Sequence, residues 1–92
     1  MEIEAAFGMA VRLRRTELGL SQETLAMEAD VARSFLSAVE RGAKQPTVKT
    51  IWKLSNALAC LPSDIWKTAE QLYLKNLPPE PHSQHDRSMA NT

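Results

Sequence analysis

The side chains best suited to chemistry lie along residues 32–41, where small and hydrogen-bonding types follow one another. Ala32, Arg33, Ser34, Ser37 and Ala38 stand between the apolar residues of this stretch, and we expect them to face outward. An arginine near the start of a helix can donate two hydrogen bonds to guanine O6 and N7, and a smooth polar face can enter the DNA major groove. The residue types therefore predict contact with base edges.

The segment 21–42 has the pattern of two short helices joined by a tight turn, which would hold that polar face from behind. Ser21 can cap the first helix, because its hydroxyl can accept from an exposed backbone N–H. Val31, Leu36 and Val39 then form an apolar stripe with the spacing of a turn followed by a helix. One face of the second helix would thus be buried and the other left open to a ligand.

This pattern resembles the helix-turn-helix of the Cro/C1-type (XRE-like) transcriptional regulators over about residues 5–66. The matching residues fall in five segments, in family order: Gly8, Val11, Arg12 and Arg15; Gly19, Leu20, Ser21 and Gln22; Ala26 and Val31; Leu36, Val39, Glu40, Arg41 and Gly42; Pro46, Thr47, Ile51, Leu54, Ala57 and Leu58. The resemblance implies an all-α, five-helix, lambda-repressor-like fold with the helix-turn-helix at helices 2 and 3. It also implies a sequence-specific regulator of transcription, similar to small restriction–modification controllers or to plasmid and phage repressors.

The turn departs from the family pattern at one position. The family usually has glycine there, where the backbone takes a positive φ, whereas this chain has Asp30. Asp and Asn are the non-glycine residues that best tolerate the left-handed region, so we expect the turn to be kept at a small energetic cost. The alternative is a changed angle between the two helices.

Two helix starts are candidate phosphate sites. The resemblance implies that Gln22 contacts a phosphate and braces the recognition helix, and free N–H groups at a helix start favour an anion. Lys44, Thr47 and Lys49 surround the start of helix 4, although such charges can also be only solvated. The full set of expected contacts with double-stranded DNA is Gln22, Ala32, Arg33, Ser34, Ser37, Arg41, Lys44, Thr47 and Lys49.

Two residues beside this surface are expected to be structural. The resemblance implies that Glu40 forms an internal ion pair with Arg12 or Arg15, since its carboxylate would otherwise repel DNA. Phe35 could lean onto a thymine methyl or pack against helix 2, and packing is the favoured interpretation.

Helix 5 has a wider apolar face than a small core can cover. Large exposed apolar patches mark partner surfaces, and domains similar to this one commonly form two-fold dimers through helices 4 and 5. We therefore expect a homodimer on two half-sites about one helical turn apart. The expected interface residues are Trp52, Ile65, Trp66, Ala69, Leu72 and Tyr73. The alternative is that helix 5 only completes the core of one protomer.

The spacing of apolar residues, together with helix start and stop residues, predicts five helices. They lie at about Ile3–Leu18, Gln22–Glu28, Arg33–Glu40, Val48–Leu58 and Pro62–Lys75. Val48, Ile51, Leu54 and Leu58 are expected to form the buried stripe of helix 4. A DNA-binding and dimerisation domain would span residues 1–77. Residues 78–92 are rich in Pro, His, Ser and Asn and are expected to form a disordered tail.

Charge, apolar content and cysteine content indicate which class of protein this is. The 92 residues carry 11 basic and 11 acidic side chains, which predicts weak non-specific binding to DNA. Eight of the basic residues nevertheless fall between positions 12 and 53. We expect a cytoplasmic protein without a membrane span, a signal peptide or a sensing domain, because no long apolar run exists and Cys60 is the only cysteine.

The sequence offers little for catalysis. His82 and His85 are the only histidines, both in the expected tail, and no nucleophile with its base or phosphate-binding glycine loop appears. We expect no enzyme, no metal and no cofactor. The alternative function is an antitoxin-type interaction module that binds a toxin through its tail or helix 5 and also binds its own operator.

Overall fold

A computed structural model describes residues 1–77, which form five α-helices and no strand. The helices are α1 (Ile3–Glu17), α2 (Gln22–Ala29), α3 (Arg33–Glu40), α4 (Val48–Ala57) and α5 (Pro62–Lys75). The all-α expectation is confirmed. The bounds of α3 and α5 are as predicted, and the other three helices end within one residue of the prediction. The expected tail at 78–92 lies outside the described residues.

Local hydrogen bonds explain where two helices begin. The Ser21 hydroxyl accepts from the Thr24 backbone N–H at 3.0 Å at the start of α2. The Thr47 hydroxyl accepts from the Thr50 backbone N–H at 3.1 Å at the start of α4. Each cap satisfies a helical N–H and stabilises the fold by roughly 1 kcal/mol. The predicted Ser21 cap is confirmed.

The turn between α2 and α3 is kept despite the missing glycine. Asp30 adopts the left-handed conformation, with φ 58° and ψ 50°. The next N–H, of Val31, donates to the Ala26 carbonyl at 2.9 Å and closes the end of α2. The Lys53 ammonium lies 3.4 Å from the Asp30 carbonyl oxygen and 3.9 Å from its carboxylate. The expectation of an intact turn is confirmed.

The core lies where α1 packs against α5 and α3, and where α2 packs against α3 and α4. Its largest fully buried apolar side chains are Leu25, Leu36, Leu54, Leu58, Val11 and Val39. Gly8 marks the closest approach of α1 to α3, because a Cβ there would lie 2.7 Å from the Glu40 carbonyl oxygen. This close contact fixes the end of α3 against α1.

Two expectations about the burial of residues in α3 and α4 are wrong. Val48 is 86% exposed, because it is the first residue of α4 and precedes the turns that pack on the core. Ala38 is buried instead of facing outward. The chain after α3 stays close to the backbone of Ala38, whose carbonyl accepts from the N–H groups of Ala43 at 2.8 Å and Lys44 at 3.3 Å.

Candidate nucleic-acid interface

The outer face of α3 is exposed to solvent, and its inner face packs against the core. Ala32, Arg33 and Ser34 are exposed at the helix start, whereas Leu36 and Val39 are buried behind them. Ala32 is the N-cap residue and has no side-chain acceptor, so no side chain caps α3. The first N–H groups of the helix are therefore left for an external acceptor, at the end where the helix dipole is positive.

The rest of α3 is divided between the two faces. Ser37 is half-buried, and Arg41 is exposed immediately after the helix. Phe35 is half-buried and packs against the core, as the favoured interpretation expected. The exposed part of α3 is thus concentrated at its first turn and just beyond its last.

A buried carboxylate joins three helices behind this face. The Glu40 side chain is 3% exposed, and its Oε2 accepts from Arg15 Nε at 2.7 Å. Its Oε1 accepts from Arg15 Nη2 at 3.0 Å and from Gln22 Nε2 at 2.9 Å. The ion pair is therefore made with Arg15 of α1, and not with Arg12. Two parallel bonds from one guanidinium are geometrically specific, so they fix the end of α3.

Gln22 lies at the first residue of α2, and its amide donates to the carboxylate at the end of α3. This hydrogen bond connects the start of α2 with the end of α3. The expected phosphate contact of Gln22 stays a prediction.

The start of α4 is a second open helix end. Lys44 and Lys49 are exposed on either side of it. The Thr47 hydroxyl is engaged as the cap and also lies 3.0 Å from the Thr50 hydroxyl. Its capacity for a further contact is therefore reduced, and the two lysines with the first backbone N–H groups are the stronger candidates for holding a phosphate.

Only part of the basic charge is available for DNA. Arg14 donates to the Leu58 carbonyl at 3.1 Å and lies 3.4 Å from Glu17, while Arg15 and Lys53 have the acidic partners already described. Among the described residues, five of the eight central basic side chains have no acidic partner: Arg12, Arg33, Arg41, Lys44 and Lys49. Sequence reasoning missed the contact of Arg14 with the end of α4, because only the fold brings them together.

The expected dimer surface is partly buried within one protomer. Trp52 is 57% exposed and Trp66 44% exposed, and Leu72 and Tyr73 are half-buried. Trp66 also packs on the buried ring of Phe7, with centroids 5.4 Å apart. The surface that a second copy could contact is therefore smaller than the sequence suggested.

Two of the expected interface residues need correction. Ile65 is 3% exposed and Ala69 is fully buried, because both lie in the core cluster. They cannot contact a partner without opening the core.

The described residues show little that suggests other chemistry. They contain no group of three His, Cys, Asp or Glu side chains that could hold a metal ion. Cys60 is half-buried, and burial raises the pKa of its thiol, while the nearby Arg14 guanidinium opposes that shift. None of the helices between residues 1 and 77 has the length and apolar character needed to cross a bilayer. His82 and His85 lie outside the described residues.

Comparison with known proteins agrees with this geometry. A family model described as helix-turn-helix matches residues 11–65, more than half of the chain. The chain belongs to the XRE-type helix-turn-helix family. It is a DNA-binding transcriptional regulator. The matched range contains the turn at Asp30, both faces of α3 and the start of α4.

Individual relatives are similar over most of their own length. The control protein C.BamHI of Bacillus amyloliquefaciens is 39% identical over 64 residues, which are 68% of this chain and 79% of that protein. The restriction–modification controller protein C.AhdI of Aeromonas hydrophila is 41% identical, with a TM-score of 0.66 over 66% of this chain and 92% of that chain. The DNA-binding domain of the P22 c2 repressor is 31% identical, with a TM-score of 0.64 over 66% and 80%. These names favour the regulator hypothesis, and nothing in these comparisons supports a toxin partner.

Proposed function

We propose that this regulator binds a two-fold operator as a homodimer and controls transcription of its own gene from the cytoplasm, without enzymatic activity. The observation that carries the proposal is the first turn of α3, with Arg33 and Ser34 exposed at a helix start that has no side-chain cap. The bidentate pair of Arg15 with Glu40 holds the other end of the helix. A recognition helix fixed from behind can enter a major groove without further ordering, which lowers the entropic cost of binding.

The exposed aromatic surface supports the dimer. Trp52 on α4 and Trp66 on α5 leave large apolar areas in water, which is unfavourable for a protomer that stays alone. Two copies related by a two-fold axis would bury the same surface twice and place two copies of α3 on one face of the DNA. Tyr73 and Leu72, half-buried beside them on α5, would complete the interface.

Similarity to controllers supports the regulatory role. The relatives at 39% and 41% identity bear the names control protein and restriction–modification controller protein. We propose that this chain is a controller of the same kind. Its output would then depend on the concentration of the dimer and on the position of its operator.

A promoter fusion tests autoregulation directly. The DNA upstream of the gene is joined to a reporter, and the protein is supplied from a second plasmid at graded levels. Reporter activity should change with the level of the wild-type protein and stay at its basal value with Arg33→Ala. Equal reporter activity at every level of wild-type protein would contradict control of its own gene.

Sedimentation equilibrium tests the dimer independently of DNA. The purified protein should have twice the mass of one chain at micromolar concentration. A single-chain mass at all concentrations up to 100-fold higher would contradict the homodimer.

A further inference from the structure

The start of α1 lies against the loop that follows α3. Gly42 has a positive φ of 78°, and a Cβ on it would lie 2.8 Å from the Ala5 Cα. The Gln45 side-chain amide of the same loop donates to the Glu4 carboxylate at 2.9 Å. An acidic side chain of α1 is therefore fixed beside the loop that leads to the start of α4.

This loop carries one of the candidate phosphate contacts. Lys44 is exposed, and with Glu4 and Gln45 it lines one small groove of about 150 Å³. Glu4 and Lys44 form no ion pair within residues 1–77. Their charges still interact, because side chains around a groove of this size lie well within the Debye length of about 10 Å at 0.1 M salt.

A carboxylate in this position opposes a DNA phosphate in two ways. It repels the phosphate directly, and it attracts the Lys44 ammonium that the phosphate would otherwise hold alone. For two unit charges about 7 Å apart in water, such an interaction changes a binding constant roughly threefold. Glu4 is thus close enough to weaken the contribution of Lys44 to DNA binding.

We infer that Glu4 limits the affinity of this regulator for DNA of any sequence, because its carboxylate opposes the binding of a phosphate at Lys44. The inference rests on the proposed phosphate site at the start of α4. Affinity for unrelated DNA comes mainly from neutralised phosphates, so one opposing carboxylate in each protomer lowers it. The acidic start of α1 thereby helps the protein to leave unrelated DNA.

A variant without the charge tests the inference. Glu4→Gln removes the carboxylate and keeps an oxygen that can accept from the Gln45 amide. The full chain and this variant are titrated into a fluorescent duplex of unrelated sequence, at four salt concentrations between about 50 and 200 mM. Fluorescence anisotropy should show roughly threefold or tighter binding by Glu4→Gln at the lowest salt. The slope of log affinity against log salt should become steeper by up to about 0.9 for each protomer.

Glu17→Gln is the matched control, because it makes the same change in net charge on the same helix. Glu17 lies about 20 Å from Glu4 along the helix axis, which is beyond the Debye length. Its side chain is 71% exposed and pairs with Arg14. The control should leave the affinity for the same duplex unchanged within about twofold.

Replacing the lysine shows whether Glu4 acts at Lys44. Lys44→Ala should weaken binding of the wild type, since one phosphate is no longer neutralised. The gain in log affinity from Glu4→Gln should be less than half as large in the Lys44→Ala background. The reason is that no phosphate is then held beside the carboxylate, so the two substitutions are coupled.

The outcomes separate this inference from the proposals on which it rests. Binding by Glu4→Gln no tighter than by Glu17→Gln, with Lys44→Ala weakened, would overturn the inference alone. An equal gain in both backgrounds would also overturn it, because the carboxylate would then act elsewhere. Unchanged binding by Lys44→Ala would contradict both the inference and the phosphate site. Binding to an unrelated duplex does not require the operator, so failure of the proposed autoregulation would leave these results unchanged.

Discussion

At the scale of single residues, the buried carboxylate of Glu40 depends most on its hydrogen-bond partners. It is almost completely excluded from water, and all three of its hydrogen bonds come from side chains of other helices. Removing one partner of a buried ion pair leaves an uncompensated charge, which usually costs more than the pair itself contributes. The position of α3 therefore depends on a buried carboxylate that is bonded to α1 and α2.

We expect Glu40→Ala to lower the free energy of unfolding by about 3 kcal/mol, because it leaves the Arg15 guanidinium without its partner. Urea denaturation followed by circular dichroism measures the change. Glu17→Ala is the control, since its pair with Arg14 is 3.4 Å long and its side chain is 71% exposed. An effect of Glu40→Ala no larger than that of the control would show that the buried pair does not hold α3.

Lys49 offers a test of the phosphate site at the start of α4. Its exposed ammonium has no acidic partner among the described residues. Lys49→Ala should weaken binding to all DNA sequences alike and reduce the slope of log affinity against log salt by about one. Titrations at four salt concentrations measure the slope. Lys67→Ala, an exposed lysine on α5, should leave the slope unchanged, and equal slopes for both variants would contradict the site.

At the scale of elements, the turn between α2 and α3 sets the direction of the recognition helix. Within this turn, Asp30 adopts the left-handed conformation although it is not a glycine. Asp30→Gly should change the free energy of unfolding by less than about 1 kcal/mol, whereas Asp30→Val should lower it by about 1–2 kcal/mol because a branched side chain tolerates this conformation poorly. Thermal unfolding of both variants measures the difference. Equal melting temperatures would mean that the turn is not strained by a side chain.

The helices themselves were largely predictable, and the reason is local. Ser21 and Thr47 cap their helices, and Gly19 and Gly42, both with positive φ, follow α1 and α3 closely. These signals lie within a few residues of the helix ends that they define. Such short-range signals can be recognised in a single sequence.

The distribution of residues between core and surface was less predictable. Ala38 is buried in the folded chain, and Val48 is exposed because α4 begins before its contact with the core. On α5, Ile65 and Ala69 face the core while the neighbouring Trp66 is 44% exposed. Each outcome depends on where another helix lies. The choice of Arg15 over Arg12 as the partner of Glu40 has the same origin.

At the scale of the whole molecule, the proposed dimer depends on the exposed aromatic surface. Trp52→Glu should shift the dimer toward single chains by at least tenfold in dissociation constant, because a carboxylate would be buried in an apolar interface. Analytical ultracentrifugation over a range of concentrations measures the shift. Leu13→Glu places the same charge at a 46% exposed residue of α1 and should leave the dimer intact. An unchanged mass distribution for Trp52→Glu would show that this part of α4 does not lie in the interface.

The net charge of zero is also a property of the whole molecule, and it bears on non-specific binding to DNA. Three of the eight central basic residues have acidic partners within the protomer, so five remain to neutralise phosphates. Non-specific affinity comes mainly from such neutralisation. The protein should therefore be released from unrelated DNA at moderate salt while it stays on its operator.

Hydroxyl-radical footprinting of the purified protein on the DNA upstream of its own gene, at physiological salt, tests the central claim most directly. We expect two protected half-sites about one helical turn apart, related by two-fold symmetry. Arg33→Ala should lose that protection at the same protein concentration. Uniform, salt-sensitive protection along the whole fragment by the wild type would contradict the claim that this dimer recognises an operator at its own gene.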